Sequence, residues 1–163
     1  MKKRWICLFV ENDIGVLARI SGLFSGKSYN LNSLTVGRTE DETVSRMTVS
    51  LTSDDKVFEQ VKKQLNRSVE VIKVVDFTDI AIHVKELMFI KVKNCSDGDM
   101  TEIFRISQVY GVKIIDYTPP AVLLESVDTE ENNDVLIRLL ENRFINRFEI
   151  ARGGNVAAPA IER

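Results

Sequence analysis

Few residues in this 163-residue chain could do covalent chemistry. There is one histidine, His83, and there are two cysteines, Cys7 and Cys95. That is too little for a zinc site, a CxxC redox pair or a disulfide framework. His83 stands alone in Ile82-His83-Val84, where a domain-junction residue is a plainer reading than a general base. No serine or cysteine has a His and Asp constellation to activate it. The only glycine pair, Gly153-Gly154, follows the last expected strand and is not a phosphate loop. The inventory argues against an ordinary acid-base or metal enzyme.

One segment does carry binding chemistry. Glu11-Asn12-Asp13-Ile14-Gly15-Val16-Leu17 joins an expected strand to a helix N-terminus. Gly15 permits a positive φ or a close backbone approach, and the N–H groups after it lack intrahelical partners. Such a terminus receives a carboxylate or phosphate. Asn12 and, across the first helix, Asn30 both donate and accept hydrogen bonds. That combination suits an α-amino acid, with Ile14, Val16, Leu17 and Leu34 lining a small apolar pocket. The same residues also make an ordinary βα turn, with Asp13 capping, Gly15 turning and Asn30 ending the helix. The residues alone leave both readings open.

The elements that must position this turn follow from hydrophobic periodicity. Residues 5–10 form an apolar strand, and Val16, Leu17, Ile20, Leu23 and Phe24 recur at helical spacing. Strands are expected at 31–36 and 44–52 around the polar connection 39–43. A helix opens at Ser53-Asp54-Asp55, and a Val- and Ile-rich strand spans 69–77. The second half repeats the order, with strands at 87–92, 112–116, 122–127 and 145–151 and helices at 96–110 and 128–142. Residues 152–163 read as loosely ordered. Each half is thus βαββαβ, an α+β, ferredoxin-like unit with both helices on one face of a four-stranded sheet. The division falls at 1–79 and 80–163. Trp5, Cys7 and Phe9 take one face of the first strand and Ile6, Leu8 and Val10 the other. Helices cover only one face of such a sheet, so the other must meet another domain, subunit or partner, unless the halves cover each other.

Composition narrows the class further. The chain is 44% hydrophobic and 28% charged, with a formal charge of −2, and so lacks the basic surplus usual for nucleic-acid or anionic-membrane binding. Residues 1–78 hold twelve basic and ten acidic groups, and residues 79–163 hold ten and fourteen. No apolar run approaches a membrane span, and the run after Met1-Lys2-Lys3-Arg4 is too short for a signal peptide. The two cysteines lie in apolar or strand-like stretches, as in a reducing, cytoplasmic setting.

The wording of the sequence adds a resemblance. Glu11-Asn12-x-x-Gly15-x-Leu17-x-Arg19-x-x-Gly22-Leu23-Phe24-Ser25, then Tyr29-Asn30-Leu31-x-Ser33-Leu34-Thr35-Val36, closely resembles the N-terminal ACT domain of acetolactate synthase regulatory (small) subunits. Ser45-Arg46-Met47-Thr48, Glu59-Gln60-x-x-Lys63-Gln64-Leu65 and Val69-x-Val71 extend the match. Glu86-Leu87-Met88, Ile103-Phe104-Arg105, Ile114-Ile115-Asp116-x-Thr118 and Glu149-Ile150-Ala151-Arg152 look like the family's C-terminal domain. Lys27-Ser28 stands where the family usually has Arg-Gly, and the tail after Arg152 lacks the usual small-residue motif.

The resemblance implies a non-catalytic regulatory subunit with no cofactor of its own. Its partner would be the large catalytic subunit, which uses thiamine diphosphate, Mg²⁺ and FAD in branched-chain amino acid synthesis. The small subunit would raise that activity and confer feedback inhibition, commonly by valine, with no nucleic acid or membrane partner. Family ACT domains pair side by side as a homodimer, with the effector at their interface. Carried over by position, Asn12, Gly15, Val16 and Leu17 would hold the amino acid from one subunit. Asn30, Leu31 and Leu34 would contact it from the other. A stand-alone amino-acid sensor acting on another partner is the alternative. An acylphosphatase-like enzyme is the third reading; it calls for an Arg in an anion-cradling loop, and Arg19 falls inside the helix.

Overall fold

A computed structural model describes residues 1–25 and 29–161. The first half runs β1 (Lys2–Glu11), α1 (Val16–Ser25), β2 (Leu31–Arg38), β3 (Val44–Ser53), α2 (Asp55–Leu65) and β4 (Val71–Asp76). The second runs β5 (Ile82–Val92), α3 (Asp97–Tyr110), β6 (Lys113–Thr118), β7 (Ala121–Asp128), α4 (Glu130–Arg143) and β8 (Phe148–Pro159). Both halves are βαββαβ, with matching sheet orders β2-β3-β1-β4 and β6-β7-β5-β8. No helix among the described residues is long and apolar enough to cross a membrane.

Strand periodicity decides which residues enter each core. In β1, Ile6, Leu8 and Val10 turn toward the helices and join Val16, Ile20, Phe24, Phe58, Val61 and Leu65 in one buried cluster. In the second unit Met88, Ile90 and Val92 meet Ile103, Leu136, Leu140 and Phe144 in the same way. Side-chain caps start three helices: Asp54 accepts from Val57 N, Ser96 from Asp99 N, and Thr129 from Asn132 N.

The chain divides into compact units differently from the expected 1–79 and 80–163. One unit is Met1–His83 together with the segment that begins at Asn155; the other is Val84–Gly154. Residues 152–159 are therefore not a loose appendage. The last strand does not end at residue 151 but continues to Pro159, with Asn155 and Ala157 buried. Gly153 lies within the strand, and a Cβ there would stand 3.2 Å from the Leu87 carbonyl oxygen. Here glycine marks a close backbone approach rather than a strand end.

In the first unit the helix-free face meets this terminal segment. Register puts Trp5, Ser50 and Ser33 in one row and Cys7, Thr48 and Thr35 in the next. Asn155 N donates to Ser33 Oγ, Thr35 Oγ1 donates to the Asn155 carbonyl, and Arg46 Nη2 donates to the Ala157 carbonyl. Part of the face expected to need another domain or subunit is thus met by the chain's own last strand.

Candidate functional site

The turn between β1 and α1 opens the helix on a bare backbone. Gly15 has φ +81°, a conformation that favours glycine. Val16 N donates to the Asp13 carbonyl at 3.3 Å, and Arg19 N to the Gly15 carbonyl at 3.0 Å. Among the described residues, the N–H groups of Leu17 and Ala18, between these two, donate to no backbone carbonyl. The first turn of α1 contains no acidic residue, so the positive end of its dipole is not offset from within the helix. Asp13 does not cap as expected, because its Oδ1 accepts from the adjacent Ile14 N at 2.7 Å instead.

Arg19 is the residue that sequence reasoning placed elsewhere. Side chains of a helix lean toward its N-terminus. Arg19 accordingly reaches back, so that a Cβ on Gly15 would stand 3.3 Å from its Nη1. Its Nε pairs with Glu70 Oε1 at 2.5 Å. The Ser68 hydroxyl, with Arg19 adding to it, holds the Glu70 carboxyl below the ordinary range. The Gly15-to-Arg19 spacing of one helical turn was the available signal. Backbone N–H groups and a guanidinium flanking a position without a side chain suit a carboxylate.

Asn12 sits beside this cradle but is already engaged. Its backbone N–H donates to the Thr43 carbonyl and its Nδ2 to the Glu42 carbonyl, each at 2.8 Å. Its Oδ1 accepts from Ser45 Oγ at 3.0 Å. Asn12 therefore ties the end of β1 to the acidic hairpin, leaving one amide hydrogen for another partner. The hairpin is itself ordered by Asp41, which accepts from the Thr43 hydroxyl and backbone N–H and is held acidic by them.

The remaining expected site residues separate into two groups. Leu17 and Ile14 are 45% and 93% exposed, whereas Val16 is a core residue. Leu31 and Leu34 are half-buried against the core, and Asn30 is exposed just before β2. Register places them away from the turn. Leu31 pairs with Leu51 and Leu51 with Arg4, at the start of β1, whereas the turn follows Glu11 at its end. Seven residues of strand separate the two levels, roughly 23 Å at about 3.3 Å per residue. Within one chain, the expected pocket of Ile14, Val16, Leu17 and Leu34 does not assemble. Lys27 and Ser28, which bear on the Asn30 turn, lie outside the described residues.

The corresponding turn of the second unit is closed by its own side chains. Ser96 and Asp99 form a reciprocal capping box, and Asp97 and Asp99 both lie in the first turn of α3. Arg147 Nη1 donates to Asp99 Oδ2 at 2.9 Å and, with Ser96, holds Asp99 far below the usual carboxylate range. A second polar group lies under α4. Glu86, 3% exposed, accepts from Arg152 Nη2 at 2.7 Å and from Asn133 Nδ2 at 3.0 Å. Ser126 Oγ donates to Asn133 Oδ1 at 2.7 Å. Burial pushes the Glu86 carboxyl up, but Arg152 and Asn133 outweigh it and leave the group more acidic than usual.

Among the described residues, no cluster of three His, Cys, Asp or Glu is arranged to hold a metal. Both cysteines are free and buried, and burial raises both thiols, against the pull of Arg46 on Cys7. Such thiols behave as packing groups rather than nucleophiles.

Known proteins match along nearly the whole chain. Residues 6–73 match the family model of the AHAS small subunit-like ACT domain, and residues 85–160 that of the small subunit of acetolactate synthase. The acetolactate synthase small subunit of Aquifex aeolicus is 40% identical over 157 residues, covering 96% of this chain and 81% of that protein. The isozyme 3 small subunit of Salmonella typhimurium is 35% identical over 154 residues, covering 94% of this chain and 93% of that protein. The crystal structure of the Thermotoga maritima small subunit superposes with a TM-score of 0.89 at 30% identity, covering all of both chains. The chain belongs to the acetolactate synthase small-subunit family, and it is a regulatory ACT-domain subunit rather than a catalyst.

Proposed function

We propose that this chain binds and activates the large, thiamine-diphosphate-dependent subunit of acetolactate synthase and makes it sensitive to a branched-chain amino acid, valine foremost. The Mg²⁺ and FAD of that reaction belong to the large subunit, and the complex acts in the cytoplasm. In this reading residues 1–79 sense the effector and the second domain helps convey its presence.

The separation along β1 carries the reading. An amino acid held at Gly15 and Leu17 and also touched by Asn30, Leu31 and Leu34 lies between two chains, because within one chain the level of Leu31 is roughly 23 Å, and that of Leu34 roughly 16 Å, from the end of β1. Strand β2 is an edge of its sheet and offers an unpaired row of N–H and C=O groups. A two-fold, antiparallel pairing along that edge brings the start of β2 from one chain level with the β1–α1 turn of the other. The effector carboxylate meets the N–H groups of Leu17 and Ala18 and the Arg19 guanidinium, while exposed Ile14 and Leu17 cover its aliphatic side chain. Asn12 contributes its free amide hydrogen and positions the acidic hairpin, a candidate contact for the large subunit. Differential affinity for two arrangements of the dimer then biases the catalytic subunit.

The test is reconstitution. The purified chain is mixed with a large subunit, and acetolactate formation is followed with and without valine. No activity alone, activation on mixing and loss of activity with valine are expected. Unchanged activity on mixing would assign the chain to a different partner.

A further inference from the structure

Strand β8 is one strand, Phe148–Pro159, shared between the two compact units. Up to Gly154 it belongs to the second unit, and from Asn155 it belongs to the first. The chain bends at Gly154, where φ is +82°, without leaving the strand. At the point of entry the first unit holds both backbone groups of one residue. Asn155 N donates to Ser33 Oγ at 2.8 Å, and its carbonyl accepts from Thr35 Oγ1 at 2.8 Å. Two residues on, the Ala157 carbonyl accepts from Arg46 Nη2 at 2.6 Å. Asn155 and Ala157 are 1% and 0% exposed, so water cannot replace these partners.

The two hydroxyls belong to the strand that carries the effector contacts. Ser33 and Thr35 alternate with Leu34 along β2, and their side chains take opposite faces of the sheet. Leu31 and Leu34 turn toward the helices, and Ser33 and Thr35 turn toward Asn155. As an edge strand, β2 has backbone pairing to β3 on one side only. The Ser33–Asn155–Thr35 bracket is a second attachment, to a strand that runs on into the other unit.

Resting on the effector site described above, we propose that this bracket is the coupling between effector binding and the second unit, with Ser33 and Thr35 as its positioning residues. A displacement of β2 on effector binding moves Asn155, and β8 carries that movement through Gly154 into the second unit along one continuous strand instead of dissipating it in a loop. Apolar residues at 33 and 35 would fill the same space without these two hydrogen bonds, and β2 could shift without moving β8.

The variant Ser33→Ala/Thr35→Val, in the full chain assembled with the large subunit, separates binding from response. Activation without valine is expected to persist. Calorimetry should show valine bound within about threefold of wild type, while inhibition, normally a coupling of about fivefold or more, is lost. Thr35→Ser keeps both hydroxyls and should keep inhibition. Wild-type inhibition in the double variant overturns the proposal. So does loss of valine binding together with inhibition, since the bracket would then only shape the site. If the double variant does not fold, Ser33→Ala and Thr35→Val singly, each keeping one bond, give the same readout. A wild-type chain that binds no valine overturns the effector site itself, a result distinct from either.

Discussion

The first strand-to-helix turn of each unit occupies the same place in the same topology, yet the two have opposite chemistry. In the first, Gly15 leaves the backbone bare, the opening turn of α1 holds no acid, and Arg19 leans over the opening. In the second, Ser96 and Asp99 take each other's backbone N–H groups, two aspartates line the opening turn of α3, and Arg147 is spent on Asp99. An incoming carboxylate meets open backbone N–H groups in one, beside an Arg19 whose Nε is paired with Glu70, and a carboxylate already in place on the helix terminus in the other. Repeating a fold therefore does not repeat a site. The second unit uses the helix terminus to stabilise itself, whereas the first gives up a side-chain cap and keeps the terminus open.

The comparison is broken most directly by closing the open turn. Gly15→Asp places a carboxylate where the effector's own should sit, and like-charge juxtaposition costs several kcal/mol, about a thousandfold in affinity. Valine inhibition in the reconstituted assay should disappear while activation persists; inhibition at the wild-type valine concentration would exclude Gly15 from the site. The strained φ adds a folding cost of about 1 kcal/mol.

The polar group of the second unit should respond first in stability. Arg152→Ala leaves the buried Glu86 carboxylate without its main partner and should lower unfolding free energy by about 3 kcal/mol in a denaturant titration. Glu86 has a lowered folded value, so its contribution is present above its ordinary 4.5 and is lost as pH falls through that lower value. Glu86→Gln should accordingly flatten the acid side of the stability profile; an unchanged slope would mean that the Arg152 pair does not set it.

Smaller effects sharpen the contrast. Ser96→Ala removes the cap of α3 and should cost about 1 kcal/mol in thermal or chemical unfolding. It should leave the valine response unaltered, and a shifted response would show that the closed turn is not inert. Ile14→Ser should change fold stability by less than about 0.5 kcal/mol, because the side chain is 93% exposed. Sedimentation should nonetheless show weaker self-association, and an unchanged dimer would place Ile14 outside the interface.

Much of this was legible in the chain. Alternation in β1 separates Ile6, Leu8 and Val10 from Trp5, Cys7 and Phe9, and the structure sends them to opposite faces. Gly15 reads as a positive-φ residue and is one. Other features were misread because local rules hold only until a distant partner intervenes. Gly153-Gly154 looks like the end of order, but β5 lies close enough that a Cβ at 153 would press on the Leu87 carbonyl. Asp13 has the composition of a cap and turns to Ile14 instead. Arg19 reads as an interior helical residue, although the lean of helical side chains returns it to the turn.

The sequence by itself determined two βαββαβ units, their cores and the candidate turn, because periodicity and backbone preference act over a few residues. It also carried the family's wording around that turn. The tertiary structure decided three further matters. Strand register set Asn30 and the turn at opposite ends of β1. Burial brought the chain's last residues back onto the first sheet. The second unit's side chains closed its own helix terminus. Each depends on groups far apart in sequence, whose distances are fixed only when both cores have formed.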